Sequence, residues 1–111
     1  MSTHKIYEIK GLTRHSPDNT VKESVKVYIE ESSIEELLNT LNYFIRTSPK
    51  TRKYTGTLSV PITWRETTRY EDGDEYTREA HMGRISYRLE DGRIMAVDQD
   101  ETFNVCKEAL K

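Results

Sequence analysis

The sequence is poor in the residues that support disulfides, zinc clusters and membrane spans. Only one of its 111 residues is a cysteine, Cys106, so an internal disulfide and a cysteine-based zinc cluster are both excluded. A single cysteine also suits a reducing compartment, and we expect a cytoplasmic protein. The longest apolar run, residues 94–97, is far shorter than a membrane span or a signal-peptide core. We therefore expect no membrane partner.

Glycine and histidine are also scarce, which limits the cofactor sites that the sequence predicts. The five glycines never cluster, so neither a P-loop nor a dinucleotide-binding fingerprint is present. The three histidines, His4, His15 and His81, are too far apart in sequence to indicate a metal pair. Four carboxylates crowd residues 71–75, but this segment lacks the glycine and the bidentate acid of a calcium loop. We predict no metal, no cofactor and no catalytic residues.

The charge balance nevertheless indicates a folded chain. Seventeen Lys and Arg residues oppose nineteen Asp and Glu residues, giving a net charge of −2. Disordered chains usually combine few apolar residues with a high net charge, which this sequence does not have. The length corresponds to one domain, and we predict a single domain over residues 1–111.

Hydrophobic periodicity predicts a hairpin and then a helix in the first half of the chain. Residues 6–9 and 21–29 have strand patterns and flank a group of turn-forming residues at 14–19. Ser32 and Ser33 are each followed three residues later by a glutamate, which is typical of a capping box, and Pro49 marks the helix end. The apolar stripe of this helix contains Ile34, Leu37, Leu38, Leu41, Phe44 and Ile45.

Three more strands and a second helix are predicted in the second half. Apolar residues occupy even positions from Tyr54 to Trp64, and Pro61 indicates either an edge strand or a local break. The apolar phase changes at Gly83, which predicts a β-bulge, and Asp91-Gly92 predicts a type I′ turn. The sequence from Asp98 resembles a further capping box, which predicts a C-terminal helix with an apolar stripe of Phe103, Cys106 and Leu110.

The predicted element order is therefore β-β-α-β-β-β-α. This order corresponds to an α+β fold, with a mostly antiparallel sheet and two amphipathic helices on one of its faces. Residues 66–80 would form a long protruding β-hairpin, since they have strand propensity but no apolar face. Pairing across an acidic turn at 71–75 would place Tyr70 opposite Tyr76 and Trp64 opposite Met82.

This hairpin is the basis of our functional prediction. It is rich in Arg and Tyr, which are enriched at protein interfaces. We predict a small non-enzymatic protein that binds a protein partner and modulates it, for example as an inhibitor. The predicted partner-binding residues are Arg65, Thr67, Arg69, Tyr70, Tyr76 and Arg78.

Three alternatives remain open at this stage. Residues 46–69 carry six cations and one carboxylate, so an RNA- or DNA-binding domain is a second hypothesis. Its contacts would come from Arg46, Lys50, Arg52, Lys53 and Tyr54. A third hypothesis is a small-molecule or enzymatic pocket near Trp64, Arg65 and His81. An unpaired edge strand would also support a homodimer.

Overall fold

The computed structural model describes residues 2–49 and 51–99. This part of the chain is mostly antiparallel sheet with one helix, which agrees with the α+β class. No helix in it is long and apolar enough to cross a membrane. The elements in chain order are β1 (Ser2–Ile9), β2 (Leu12–His15), β3 (Lys22–Val25), β4 (Ile29–Glu31), α1 (Ile34–Thr47), β5 (Gly56–Arg69), β6 (Glu75–Glu90) and β7 (Arg93–Gln99).

All seven strands belong to one sheet with β5 at its centre. β6 pairs with β5 along one side, while β1 and β2 share the other side end to end. β3 lies outside β2, β4 lies outside β1, and β7 pairs with β6. The predicted first hairpin is therefore confirmed, but each of its two strands is interrupted: β1 and β2 form the first, and β3 and β4 form the second. Arg14 and His15 belong to β2 and not to the turn.

Pro61 explains where these strands are interrupted. On the β1/β2 side of β5, pairing stops at Ser59 and resumes at Thr63, so Pro61 faces the break between β1 and β2. Proline has no amide hydrogen to donate to a ladder, which makes a break its natural position. The predicted local break is confirmed, whereas the alternative of an edge strand is wrong because β5 is central.

Helix α1 covers one face of the sheet, and the core lies between the two. The Ser33 hydroxyl accepts a hydrogen bond from the Glu36 amide at 3.1 Å, so the predicted cap is confirmed. The stripe also faces the sheet as predicted, with Ile34 and Phe44 at its margins. The fully buried core side chains are Ile9, Leu37, Leu38, Leu41, Ile45, Leu58, Val60, Ile62, Ile85 and Tyr87. We call the other side of the sheet, which no helix of the described residues covers, the open face.

The second predicted helix is not found where it was expected to begin. Asp98, its predicted cap, lies in β7 opposite Ser86. The strand continues there because β7 extends a hairpin whose turn has the predicted type I′ geometry, with positive φ at Asp91 and Gly92. The rest of the predicted helix, residues 100–111, lies outside the described residues.

The register of the long hairpin differs from the prediction by two residues. Thr68 pairs with Tyr76 and Trp64 pairs with Ala80, so Tyr70 is not opposite Tyr76. The loop is shorter than expected because the Tyr70 amide donates to the Asp74 carbonyl at 2.8 Å, and Gly73 supplies the positive φ of 91° that closes it. The predicted bulge at Gly83 is confirmed, since the β5–β6 register shifts there.

Candidate functional site

The protruding hairpin is part of a three-stranded extension, which we call the arm and define as residues 2–6 together with 65–80. Ser2 pairs with Arg69 and Lys5 pairs with Glu66, so the start of β1 runs along the hairpin. The hydroxyl groups of Thr3 and Thr68 lie 3.2 Å apart, and those of Thr67 and Thr77 lie 3.1 Å apart. The arm contributes to an elongated shape of 54 × 26 × 25 Å.

Two arginines of the arm form ion pairs across its strands. Arg69 donates to Glu75 through Nε at 2.9 Å and through Nη2 at 2.5 Å. Arg78 contacts the Glu66 carboxylate through Nε at 2.9 Å and Nη2 at 2.8 Å. Two nitrogens of one guanidinium on one carboxylate restrict both side chains, so these pairs help to order the arm surface.

Arg65 has a different role because its guanidinium points toward the body of the sheet. It lies 3.3 Å from the Glu8 carboxylate and 3.5 Å from that of Glu30. Glu8 has only 1% of its side chain exposed, and the Lys10 ammonium holds its second oxygen at 3.3 Å. The hydrogen bond and charge of Glu8, with Glu79 nearby, raise the pKa of Lys10. Arg65 therefore anchors the base of the arm.

Tyr70 and Tyr76 are the large exposed side chains near the end of the arm. They have 45% and 60% of their surface exposed. Paired residues on neighbouring strands share a face, so Tyr76 lies beside Thr68, and Tyr70 follows two residues later on that face. This is the α1 side of the sheet, beyond the end of the core.

Trp64 lies on the same face, closer to the body. The Lys5 ammonium is 4.4 Å from its ring centre and the Arg78 guanidinium is 5.5 Å away. Side chains alternate between the two faces along β5, so Arg65, Thr67 and Arg69 lie on the open face, opposite Trp64. The six predicted partner-binding residues are therefore divided equally between two faces: Arg65, Thr67 and Arg69 lie on the open face, and Tyr70, Tyr76 and Arg78 lie on the α1 side.

The end of the arm is acidic. Residues 65–80 contain three arginines and six carboxylates, and the arginines already face carboxylates. Glu71, Asp72 and Asp74 are exposed at the turn. The Asp74 amide donates to the Asp72 carboxylate at 3.0 Å, which shapes the turn while leaving its charge at the surface.

The contact residues of the second hypothesis that the structure describes come before β5, at the opposite end of that strand from the arm tip. Arg46, Arg52 and Lys53 are exposed, whereas Lys50 lies outside the described residues. Tyr54 is not available for base stacking, because the Arg14 guanidinium lies 4.4 Å from its ring centre and its hydroxyl donates to the His15 carbonyl. Burial raises the pKa of Tyr54. It has a structural role at this position.

The three residues of the third hypothesis do not lie on one face of the sheet. Arg65 and His81 are on the open face, since His81 pairs with Thr63, whereas Trp64 points to the α1 side. Strand alternation places Trp64 and Arg65 on opposite faces, so a pocket on either face would contain only one of these two side chains.

The sequence analysis missed four cations on the open face of the body. Lys22 lies in β3 and Lys26 comes directly after that strand, Arg84 and Arg88 lie in β6, and all four side chains are exposed. Their spacing of four residues along each strand is the signal that was available, because strand residues i and i+4 share a face. Counting charges in consecutive segments of the chain does not show this cluster, since the two pairs of cations are about sixty residues apart.

Comparison of the chain with known protein families, with curated proteins and with solved structures finds no match to any of them.

Proposed function

We propose that this chain is a non-enzymatic binding protein whose arm docks onto a protein partner and modulates it. The observation that carries the proposal is the position of Tyr70 and Tyr76. Strand alternation places them on one face, both exposed, on an extension beyond the core. Large aromatic side chains with a polar end are typical anchors of protein interfaces.

The internal bonding of the arm supports this proposal. Cross-strand pairs join Arg69 to Glu75 and Arg78 to Glu66, and β1 adds a third strand. An arm that is ordered before binding loses less conformational entropy when it docks, so more of the contact energy contributes to affinity. The arm thus offers tyrosines on a pre-organised surface.

The acidic turn indicates the charge of the partner. Glu71, Asp72 and Asp74 extend past the tyrosines, and their potential would attract a positively charged surface during encounter. We therefore propose a partner with a basic patch beside an apolar or aromatic-lined pocket. The contacting side chains on the arm are Tyr70, Tyr76 and Arg78, whereas Arg65 acts as a positioning residue.

Site-specific photo-crosslinking in the native host tests this function. A photoreactive phenylalanine analogue replaces Tyr70 or Tyr76, and crosslinked material is identified by mass spectrometry. The matched control carries the same analogue at Tyr43, which is 70% exposed on α1 and does not belong to the arm. We expect one protein to be crosslinked from both arm positions, and not from position 43.

Affinity measurements with the captured protein complete the test. The double substitution Tyr70→Ala with Tyr76→Ala should weaken binding by at least roughly tenfold, because two anchors are lost. Tyr43→Ala should leave binding unchanged. Crosslinks only between copies of this chain would replace the proposal with self-association, and equal crosslinking from all three positions would refute it.

A further inference from the structure

The open face of the body carries a rectangle of positive charge, which we call the cation quartet: Lys22, Lys26, Arg84 and Arg88. Lys22 and Arg88 lie in one cross-strand row, joined through His15 and Thr57. Arg84 pairs with Pro61, and Lys26 lines the same shallow depression as Pro61. Ordinary strand spacing and rise make this rectangle roughly 14 Å by 13 Å.

Small hydroxyl side chains fill the space between these cations. The middle row runs from Ser24 through Thr13 and Ser59 to Ser86. The Arg84 guanidinium donates to the Ser59 hydroxyl at 3.2 Å, which holds it against the sheet. Within residues 2–49 and 51–99, the one carboxylate in line with this row is that of Asp98, which lies 3.8 Å from the Arg88 guanidinium and is itself mostly exposed. The face is therefore cationic and rich in hydrogen-bond donors.

The chemistry of this face complements a row of phosphate groups. Lysine and arginine neutralise phosphates, and Ser and Thr hydroxyls donate hydrogen bonds to phosphate oxygens. A lone bound anion would need convergent donors, whereas these cations form two pairs that are separated by the width of β2 and β5. We propose that the open face of the body binds the phosphate backbone of duplex nucleic acid.

The side chains between the cations favour a duplex over a single strand. Proteins that bind single strands stack bases on aromatic rings, but the middle row offers Thr13, Ser24, Ser59 and Ser86, which have no ring. Contacts of this kind position a backbone without reading bases, so the binding should be independent of sequence. The site is separate from the arm, and the proposal does not depend on the proposed function.

Fluorescence anisotropy with a labelled 20-base-pair DNA duplex tests this proposal, with duplex RNA and anionic lipid vesicles as further probes. The face variant combines Lys22→Gln with Lys26→Gln, and a second variant is Arg88→Gln. The matched control combines Arg46→Gln with Lys53→Gln, which removes the same charge from exposed positions outside the face. Circular dichroism confirms that each variant is folded.

We expect the chain to bind the duplex. A plot of the logarithm of affinity against the logarithm of salt concentration should have a slope of about −3 to −4, because three to four phosphates are contacted. The face variant should flatten that slope by about 2 and lose roughly tenfold or more in affinity at low salt. Arg88→Gln should flatten it by about 1. The control should keep the slope and affinity of the original chain.

Three outcomes would overturn the proposal. The first is no duplex binding at low salt and micromolar protein, and the second is an equal loss in the face variant and the control. The third is retention by anionic vesicles without binding to either duplex, which would assign the face to a lipid surface. Arm variants such as Tyr70→Ala should bind the duplex normally, so this test and that of the arm fail independently.

Discussion

The guanidinium of Arg65 lies 3.3 Å from the carboxylate of Glu8, a side chain that is almost fully buried on the uncovered side of the sheet. Arg65 also reaches Glu30 at 3.5 Å, so one side chain of β5 contacts both β1 and β4. Glu8 lies near the place where the sheet loses its helix cover and continues as the arm. The ion pair therefore joins the arm base to the body.

Removing Arg65 should cost far more stability than removing an arginine farther along the arm. In Arg65→Met the buried Glu8 keeps only Lys10 as a close cation, and leaving a buried charge poorly compensated should lower the free energy of unfolding by about 3 kcal/mol. Arg69→Met breaks an exposed pair with Glu75 and should cost less than about 1 kcal/mol. Urea denaturation of both variants measures the difference.

A double variant separates loss of a charge partner from loss of packing. Glu8→Leu combined with Arg65→Met removes both charges and keeps apolar volume, so it should recover most of the stability lost in the single variant. If Arg65→Met and Arg69→Met were equally stable, Arg65 would be an ordinary surface residue and not an anchor.

The first strand should control the order of the arm. Deletion of residues 2–5 leaves the distal part of β5 and β6 as a two-stranded ribbon, and an isolated ribbon of this kind is only marginally stable in water. We expect amide hydrogen exchange in residues 66–69 to accelerate by roughly an order of magnitude. Exchange in residues 57–59, which pair with β2 and β6 near the core, should be unchanged.

An N-terminal truncation can also perturb the whole fold, so a milder variant provides the control. Thr3→Ala removes the 3.2 Å contact with Thr68 but keeps the strand, and its exchange rates should stay close to those of the original chain. Unchanged exchange after deletion of residues 2–5 would show that the hairpin is stable without β1.

Local patterns predicted the elements of this fold better than their pairing. The Ser33 cap and the α1 stripe follow from short-range spacing, and the turn at Asp91 and Gly92 follows from the backbone preferences of two residues. The third strand of the arm was not predictable in this way. Ser2–Lys5 is polar and has no alternation, so only its pairing with residues more than sixty positions away makes it a strand.

In the candidate site, too, the sequence predicted individual residues better than their arrangement. The sequence predicted that Tyr70 and Tyr76 are interface residues; that role stays a prediction, and both side chains are exposed on the arm. It grouped them with Arg65 because residue composition contains no information about faces. The register of the hairpin, which differs by two residues from the prediction, could not be predicted from the sequence either. Loops of three and five residues both fit the acidic turn, and the loop that Gly73 closes sets the register.

Two glycines with positive φ should differ sharply in their tolerance of alanine. Gly92 has a φ of 76°, and a Cβ there would overlap the carbonyl of Arg52. Gly73 has a φ of 91° but has open space around it. Gly73→Ala should therefore cost about 1 kcal/mol from backbone strain alone, whereas Gly92→Ala should cost clearly more. Thermal unfolding of the two variants measures this difference, and equal losses would contradict the close packing of Gly92 on Arg52.

The Asp18 carboxylate should titrate at an unusually low pH. The Ser16 hydroxyl donates to it at 2.6 Å, and the Thr20 hydroxyl and amide donate at 2.7 Å and 3.1 Å. These bonds favour the charged form and lower the pKa of Asp18 from 3.8 to about 2. Because the folded pKa is the lower one, this stabilisation is fully present above pH 3.8 and is lost as the pH falls through about 2.

Carboxyl carbon NMR titration of Asp18 measures this value directly. Ser16→Ala removes the shortest of the three hydrogen bonds and should raise the pKa of Asp18 toward 3.8. Ser24→Ala, which changes a serine of the neighbouring strand β3, should leave it unchanged. A pKa near 3.8 in the original chain would show that the loop between β2 and β3 does not hold this hydrogen-bonded arrangement in solution.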